Sequence, residues 1–232
     1  MNRSRILITI IFIGLVALCA GCTETPLEHP SITPVGTPVP VVTGIPVMVG
    51  YQGSGTMSLQ TDLDAGVCLV RTENNGTGPF IVEIANEQYY QQIIRSKGDV
   101  RATQAIGIPV AGAYLMNVTS GGTWDITIAR PETNDPAAPP LTLDGSGYSA
   151  SGYITLPAGN TLFAMENDGT GPFAVFLYNE TGDFVFDSTG TYIQPLHYHI
   201  GPYNGTVTVA IPGNGRYVLS IMSDGSWRVA VV

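Results

Sequence analysis

The chain has 232 residues, of which 44% are hydrophobic and 12% are charged, so it carries enough apolar material for packed cores in one or two domains. Its 18 acidic residues outnumber the 9 basic ones and give a formal net charge of −9 at pH 7. Because Lys97 is the single lysine, the sequence lacks the basic patch that neutralises phosphates, and we expect no nucleic-acid partner.

The N-terminus has the pattern of an export signal. Arg3 and Arg5 precede an unbroken apolar run at residues 6–20, which is followed by Gly21 and Cys22. A run of about 15 residues suits a secretory signal peptide and is shorter than the roughly 18 to 20 residues of a permanent transmembrane helix. We therefore predict a signal peptide at residues 1–21 and an extracytoplasmic location for the remainder.

The small residues before Cys22 resemble a lipobox, with Cys19 at the position where that pattern usually has Leu. The resemblance implies that Cys22 carries a diacylglyceryl group, which anchors the protein to the outer face of the cell membrane. Two alternatives stay open at this point, namely ordinary export with cleavage elsewhere and an uncleaved anchor.

A stretch rich in proline and threonine follows at residues 22–46. It has proline at positions 26, 30, 34, 38, 40 and 46. Proline fixes φ and removes backbone donors, which favours extended polyproline II over a packed structure. We predict a stalk that holds the folded part away from the membrane.

The rest of the chain contains an internal duplication. The pentapeptide Gly-Thr-Gly-Pro-Phe occurs at residues 76–80 and again at residues 169–173, each time with Glu-Asn shortly before it. Short motifs further along the chain also occur twice, the last of them ending in Trp124 and Trp227. These later motifs are 103 residues apart, whereas the two pentapeptides are 93 residues apart. The preserved order predicts two copies of one folding unit, at residues 47–130 and 143–232, with a linker at 131–142 and an insertion in the second copy.

Period-two alternation of apolar residues marks strands that are buried on one face. The same positions are apolar in both copies, and we predict that they form two cores: Phe80, Val82, Ile84, Tyr114, Met116, Val118, Trp124, Ile126 and Ile128 in the first, and Phe173, Val175, Leu177, Tyr217, Leu219, Ile221, Trp227, Val229 and Val231 in the second. Cys68 shares the parity of Val70 and is predicted to be a core residue. The pattern predicts an all-β protein with two tandem antiparallel β-sandwich domains of jelly-roll type.

The last hairpin has the form G-x-Y-x-L-x-x-x-S-x-G-x-W-x-V at residues 215–229, with a looser copy at residues 112–126. This ending resembles the closing hairpin of small jelly-roll domains in secreted prokaryotic proteins, among which the bacterial pre-peptidase C-terminal domains are the nearest named group. The resemblance implies an accessory, non-catalytic role and transfers no functional residue.

Four Asn-x-Ser/Thr sequons are predicted as N-glycosylation sites, at Asn75, Asn117, Asn179 and Asn204. Strand parity places Asn117 on an outward face, whereas Asn75 and Asn204 are each followed by Gly and are expected to open turns. The alternative is that Asn-Gly-Thr is simply favourable turn chemistry.

One stretch of the second copy concentrates aromatic and imidazole rings, and we assign it to the insertion. Exposed rings stack on the apolar faces of sugars, so this stretch is our predicted ligand-binding site. In the alternative its rings close one end of the core, and the strand face opposite the histidines is a plain buried face. The residues concerned are Tyr192, His197, Tyr198, His199 and Tyr203.

No metal site or cofactor is predicted. His197 and His199 share a strand face, but the spacing fixes no third ligand. Glu73 and Glu166 precede Gly-rich turns, and Glu180, Asp183 and Asp187 form an acidic group; both arrangements lack the spacing of a calcium loop and are predicted to be solvated.

No enzymatic activity is predicted, because the sequence has no Gly-x-Ser-x-Gly, His-Glu-x-x-His or Cys-His arrangement. We expect a surface-displayed binding or adhesion module whose partner is a polysaccharide or another envelope protein. The alternatives are a structural envelope spacer that carries glycans and binds no small ligand, and an accessory domain of a metal-dependent or acid/base hydrolase. An exposed loop at residues 192–203 favours binding, and a loop packed into the core favours the spacer.

Overall fold

A computed structural model of the chain describes residues 47–185 and 195–232. The predicted signal peptide, Cys22 and the stalk lie outside the described residues. All named strands pair antiparallel. In the described part, no helix has the length and hydropathy needed to cross a bilayer.

The first half of the described chain forms one sandwich of two four-stranded sheets. Sheet 1a has the strand order β1-β8-β3-β6, and sheet 1b has the order β2-β7-β4-β5. The strands are β1 (Val47–Ser54), β2 (Met57–Leu63), β3 (Gly66–Asn75), β4 (Pro79–Asn86), β5 (Tyr89–Lys97), β6 (Val100–Ile108), β7 (Gly112–Thr119) and β8 (Thr123–Ala129).

The second half repeats this arrangement. Sheet 2a has the order β15-β12-β17-β9, and sheet 2b has the order β10-β16-β13-β14, with β11 also paired to β16. The strands are β9 (Leu141–Ser146), β10 (Ser149–Ala150), β11 (Ile154–Leu156), β12 (Gly159–Asn167), β13 (Pro172–Asn179), β14 (His197–Ile200), β15 (Tyr203–Ile211), β16 (Gly215–Met222) and β17 (Ser226–Val231).

Most sequential strands lie in opposite sheets of each sandwich, as in a jelly roll, but β4 is followed by β5 within sheet 1b and β13 by β14 within sheet 2b. The expectation of a closing hairpin is wrong, because β7 and β8, like β16 and β17, lie in opposite sheets and do not pair. Sheet 1a thus corresponds to sheet 2a and sheet 1b to sheet 2b, with the second strand of the second copy broken into β10 and β11. The predicted fold class, two tandem antiparallel β-sandwiches, is confirmed.

Two separate apolar cores fill the sandwiches, one in each. Every residue that the alternation predicted to point inward is buried, from fully enclosed Phe80 and Phe173 to Trp227 with 6% of its surface exposed. Cys68 is also fully buried in the first core, as predicted. The period-two pattern was sufficient here because one face of each of these strands packs on the opposite sheet.

The words shared by the two copies form a buried polar network at one end of each sandwich. In the first copy Asn74 donates from Nδ2 to the Gly98 carbonyl oxygen (2.7 Å) and accepts from the Ser120 hydroxyl (2.7 Å). In the second copy Asn167 makes the same bonds to Gly201 (3.0 Å) and Ser223 (2.6 Å). The asparagine and serine of these shared motifs therefore satisfy buried polar groups of the turns.

The two sandwiches dock through unlike faces, because the outer face of sheet 1a packs on the outer face of sheet 2b. A third apolar cluster forms between them from Val67, Ala105, Tyr178 and Val218. Hydrogen bonds cross the contact from β6, where the Ala105 N–H donates to Ser220 Oγ (3.1 Å) and Gln104 Nε2 donates to the Ile221 carbonyl oxygen (3.0 Å). The pair is therefore held by apolar packing and by directed bonds.

The start of the β13–β14 connection acts as a clamp on the first sandwich. The Glu180 carbonyl oxygen accepts a hydrogen bond from the Val67 N–H (3.2 Å), and the Phe184 ring packs 4.5 Å from that of Tyr178. Gly182, at a φ of +83°, lies directly against Gly107 of β6. The clamp lies in the β13–β14 connection, which is longer than the β4–β5 connection of the first copy, so part of this longer connection joins the two sandwiches.

Candidate functional site

The predicted ligand-binding residues within the described part lie on β14 and at the start of β15, on either side of the turn that joins sheet 2b to sheet 2a. Gly201 in this turn corresponds to Gly98 of the first copy, since both have positive φ values, of 93° and 83°, and both accept the buried asparagine bond. His197 pairs with Val175 just as Ile94 pairs with Val82. The β14–turn–β15 unit therefore has a counterpart in β5, β6 and their turn in the first copy.

This correspondence corrects the position of the insertion. It precedes β14, in the connection after β13, whereas His197, Tyr198, His199 and Tyr203 replace residues that the first copy also has. The motifs that the two copies share lie only before and after this region. The change in their spacing shows that residues were added between them but does not show where. Tyr192 lies outside the described residues.

His197 and Tyr203 close the gap between the edges of sheets 2b and 2a. Their ring centroids are 3.9 Å apart, and the His197 ring is 5.7 Å from the fully buried Phe173. The Nε2 atom of His197 is buried and has no hydrogen-bond partner in residues 47–185 or 195–232. Burial lowers the pKa of His197, and the neighbouring His199 lowers it further. For these two residues the packed alternative describes the structure.

Tyr198 and Ile200 point the other way and are exposed on the outer face of β14, by 55% and 66%. The suggestion that the strand face opposite the histidines is buried is therefore wrong, because β14 is the edge strand of sheet 2b and its outer face extends beyond the contact with the first sandwich. In the first copy, Arg95 and Lys97 occupy these two positions. The second copy thus has an exposed tyrosine and isoleucine where the first copy has two cations. This difference could be recognised only once the pairing register of β14 and β5 was known.

A shallow depression of about 680 Å³ lies on the opposite side of the second sandwich, and Tyr203 lines one end of it. Its outward side chains form a row across sheet 2a, in which Asn204, Glu166, Arg228 and Asp144 are successive cross-strand neighbours. Glu166 and Arg228 are 4.0 Å apart at the surface. Such alternation of charge is typical of solvated cross-strand pairing.

The four sequons have different surroundings. Asn75 and Asn204 are exposed and Asn117 is half-buried on the outer face of sheet 1b. Asn204 lies inside β15 rather than opening a turn, because its N–H and carbonyl belong to the β12–β15 ladder. The Asn179 side chain is engaged in its own turn, where Oδ1 accepts from the Thr181 hydroxyl (2.7 Å) and the Asp183 N–H (2.8 Å). Glycosylation stays a prediction at all four.

The acidic residues considered for calcium contact basic or turn groups. Glu73 lies 2.6 Å from Arg71 and 3.6 Å from Arg101, and Glu180 pairs with Arg216. Within residues 47–185 and 195–232, no three histidine, cysteine or carboxylate side chains are grouped so that they could hold a metal ion. Asp187 lies outside the described residues.

Comparisons with known proteins give no family for this chain. No family model matches, and no curated protein matches. Among solved structures, the chain is similar to a chain of the complex of plant peptide RALF23 with FER and LLG2, at 8% identity over 85% of this chain and 88% of that chain, with a TM-score of 0.28.

The N-terminal CBM22-1-CBM22-2 tandem domain of Xyn10C from Paenibacillus barcinonensis is similar at 9% identity over 79% of this chain and 86% of that chain, with a TM-score of 0.26. A chain of the Sulfolobus Turreted Icosahedral Virus is similar at 17% identity over 80% of this chain and 59% of that chain, with a TM-score of 0.25. At these scores the similarities carry no argument about function, which must rest on the residues of this chain.

Proposed function

We propose that this protein is a non-catalytic lipoprotein displayed on the outer face of the cell membrane, where it acts as a binding module for a polysaccharide. The observation that carries the proposal is the exposed pair Tyr198 and Ile200 on the edge strand β14. Since the first sandwich folds with Arg95 and Lys97 at these positions, the fold itself does not require an apolar strip there. An exposed apolar side chain that the fold does not require is a candidate for ligand contact.

The chemistry of the strip favours a neutral polysaccharide. Residues two apart on a strand face are about 6.5 to 7 Å apart, so Tyr198 and Ile200 offer a narrow apolar strip along which consecutive sugar units can stack. The tyrosine ring matches the C–H face of a sugar, and its hydroxyl remains in water. The net charge of −9 repels acidic polymers, and the two cations that would attract them are replaced on this strand.

The anchoring part of the proposal rests on the sequence. The lipobox resemblance at Cys22 supports attachment to the membrane, and the proline-rich residues 22–46 support a stalk. The resemblance to pre-peptidase C-terminal domains supports an accessory role for the two sandwiches. An envelope protein as the partner in place of a polysaccharide is the alternative for the same strip.

A binding comparison between two tyrosines tests the proposal. Tyr90 lies on β5 of the first sandwich and is 61% exposed, close to the 55% of Tyr198. Full-length protein in detergent is titrated calorimetrically with a panel of neutral polysaccharides, together with its Tyr198→Ala and Tyr90→Ala variants. We expect the first variant to bind roughly tenfold more weakly, because an aromatic contact contributes about 0.5 to 1.5 kcal/mol beyond its buried area, and the second to bind like the parent. Equal binding by both variants, or no binding by the parent, would contradict the proposed binding site. Release of reducing ends from the bound polysaccharide would contradict the proposal that the protein is non-catalytic.

A structural spacer is the second candidate, and the docking of the two sandwiches favours it. The contact between sheets 1a and 2b, together with the Gly182 clamp, makes the described residues a continuous stack of four sheets. Exposed Asn75 and Asn204 would then carry glycans on the outside of this stack. Retention of envelope integrity by the Tyr198→Ala variant in cells, combined with its loss on removal of the whole chain, would favour the spacer.

A further inference from the structure

The second sandwich has a partly buried histidine at a position where the first has a core isoleucine. His197 occupies the place of Ile94, which is only 2% exposed. Its ring packs against Phe173 and Tyr203. Imidazole is the side chain whose charge changes in the mildly acidic range, so this substitution puts a titratable group where the fold otherwise uses an alkyl chain.

The surroundings of the His197 ring favour its neutral form. From β13 it meets the Phe173 ring and the paired Val175, from β15 it meets Tyr203, and on its own strand it meets His199. Among the described residues, none of these neighbours is a carboxylate that could stabilise an imidazolium. The Nε2 atom, which must carry a proton in the charged form, is buried and has no acceptor within the part of the chain that the structure describes.

The strand that carries this ring is held weakly. β14 has four residues, pairs with β13 alone among the described strands, and forms the edge of sheet 2b. Its counterpart β5 has nine residues and forms eight pairs with β4. A charge placed under a short edge strand is relieved by local opening of that strand, which costs less than unfolding of the sandwich.

From these observations we infer that His197 makes β14 an acid-labile strand, so that protonation of its partly buried imidazole detaches residues 197–200 from β13 in mildly acidic medium while the first sandwich stays closed. The direction follows from linkage: burial lowers the pKa of His197 in the folded state, so the opened strand binds more protons, and the attachment that is complete above about pH 6.5 weakens as the pH falls. The inference depends on the fold alone and not on the proposed ligand.

Hydrogen exchange of the full-length protein tests the inference. Exchange followed by mass spectrometry, corrected for intrinsic rates, compares the peptide covering β14 with that covering β5 at pH 7.5 and pH 5.0. We expect the protection of β14 to fall roughly tenfold at pH 5.0, and the protection of β5 to stay constant.

Two variants make the test specific. His197→Ile installs the residue of the first copy and is expected to keep β14 protected at both pH values; His197→Val, also suited to a strand, replaces it should the isoleucine variant not fold. His199→Ser installs the equivalent of Ser96 and is expected to retain most of the pH dependence, because burial is the main cause. Constant protection of β14 in the parent, or the same loss of protection in the His197→Ile variant, would overturn the inference.

Discussion

Substitution of Gly107 by alanine tests the contact between the two sandwiches. A Cβ atom at Gly107 would lie 1.8 Å from the Gly182 carbonyl oxygen, whereas ordinary contact begins at 3.4 Å. The equivalent residue of the second copy is Ala210, which is exposed. The strand itself thus accepts alanine, and the docked second sandwich is what forbids it at Gly107.

The size of the effect follows from two competing responses. Separation of the sandwiches would expose Val67, Tyr178 and Val218, which are at most 3% exposed and contribute roughly 1.5 to 3 kcal/mol each when buried. Insertion of one methyl group into a packed contact with local shifts costs about 1 to 3 kcal/mol. The second response is cheaper, so we expect the sandwiches to remain docked and the free energy of unfolding to fall by about 2 kcal/mol.

Urea denaturation followed by tryptophan fluorescence measures this loss, because Trp124 and Trp227 report on one sandwich each. With an m-value of about 2 kcal/mol per M, the midpoint should fall by roughly 1 M. Gly152→Ala is the matched control, since a Cβ there meets no atom within 4 Å, and it should not lower the midpoint. A Gly107→Ala midpoint equal to that of the control would refute the docking described above.

Two further predictions concern buried polar groups. Asn167→Ala should destabilise the second sandwich by about 2 to 4 kcal/mol in urea denaturation, because it leaves the Gly201 carbonyl and the Ser223 hydroxyl without their partner; Asn74→Ala should cost the first sandwich a similar amount, and a large difference between the two would contradict the shared role of these asparagines. Burial raises the pKa of Cys68 to about 11, so at pH 8 its thiol is protonated and should not react with an aromatic disulfide reagent until the protein is unfolded; rapid reaction in the folded protein would show that this burial is wrong.

The inward faces of the strands could be predicted from the sequence because each buries one face against a neighbouring sheet. Alternation therefore identified Phe80, Val82 and Ile84, and the duplicated words confirmed each choice in the second copy. The roles of Asn74 and Asn167 were not predicted, since an asparagine before a glycine-rich turn has the same local pattern whether it is solvated or buried. The stabilisation that these asparagines provide depends on hydrogen bonds to residues more than 20 positions away in the sequence.

The docking of the sandwiches was not predicted, although the sequence held a signal for it. Val67, Cys68, Leu69 and Val70 form a continuous apolar run, and such runs mark strands that are covered on both faces. The run from Phe173 to Tyr178 on β13 has the same property. These two segments contribute to the contact between sheets 1a and 2b. The loss of apolar–polar alternation in them was therefore the sequence signal for a second buried face.

The residues predicted to contact a ligand differ in their exposure. His197 and Tyr203 pack between the sheets, and Tyr198 is exposed. Composition alone could not separate them, because adjacent residues of a strand point to opposite faces, and the assignment to sheet faces required the pairing of β14 with β13.

The union of unlike faces also bears on how many copies such a chain can hold. A head-to-tail contact has no intrinsic end, and repetition of it would generate a filament. Here the free face of sheet 2a has Asn160 where sheet 1a has Val67, and the free face of sheet 1b has Glu83 where sheet 2b has Phe176. At these two positions a third sandwich docked in the same way would meet an amide or a carboxylate in place of an apolar side chain, so a repeat of the contact would lack both of these apolar partners.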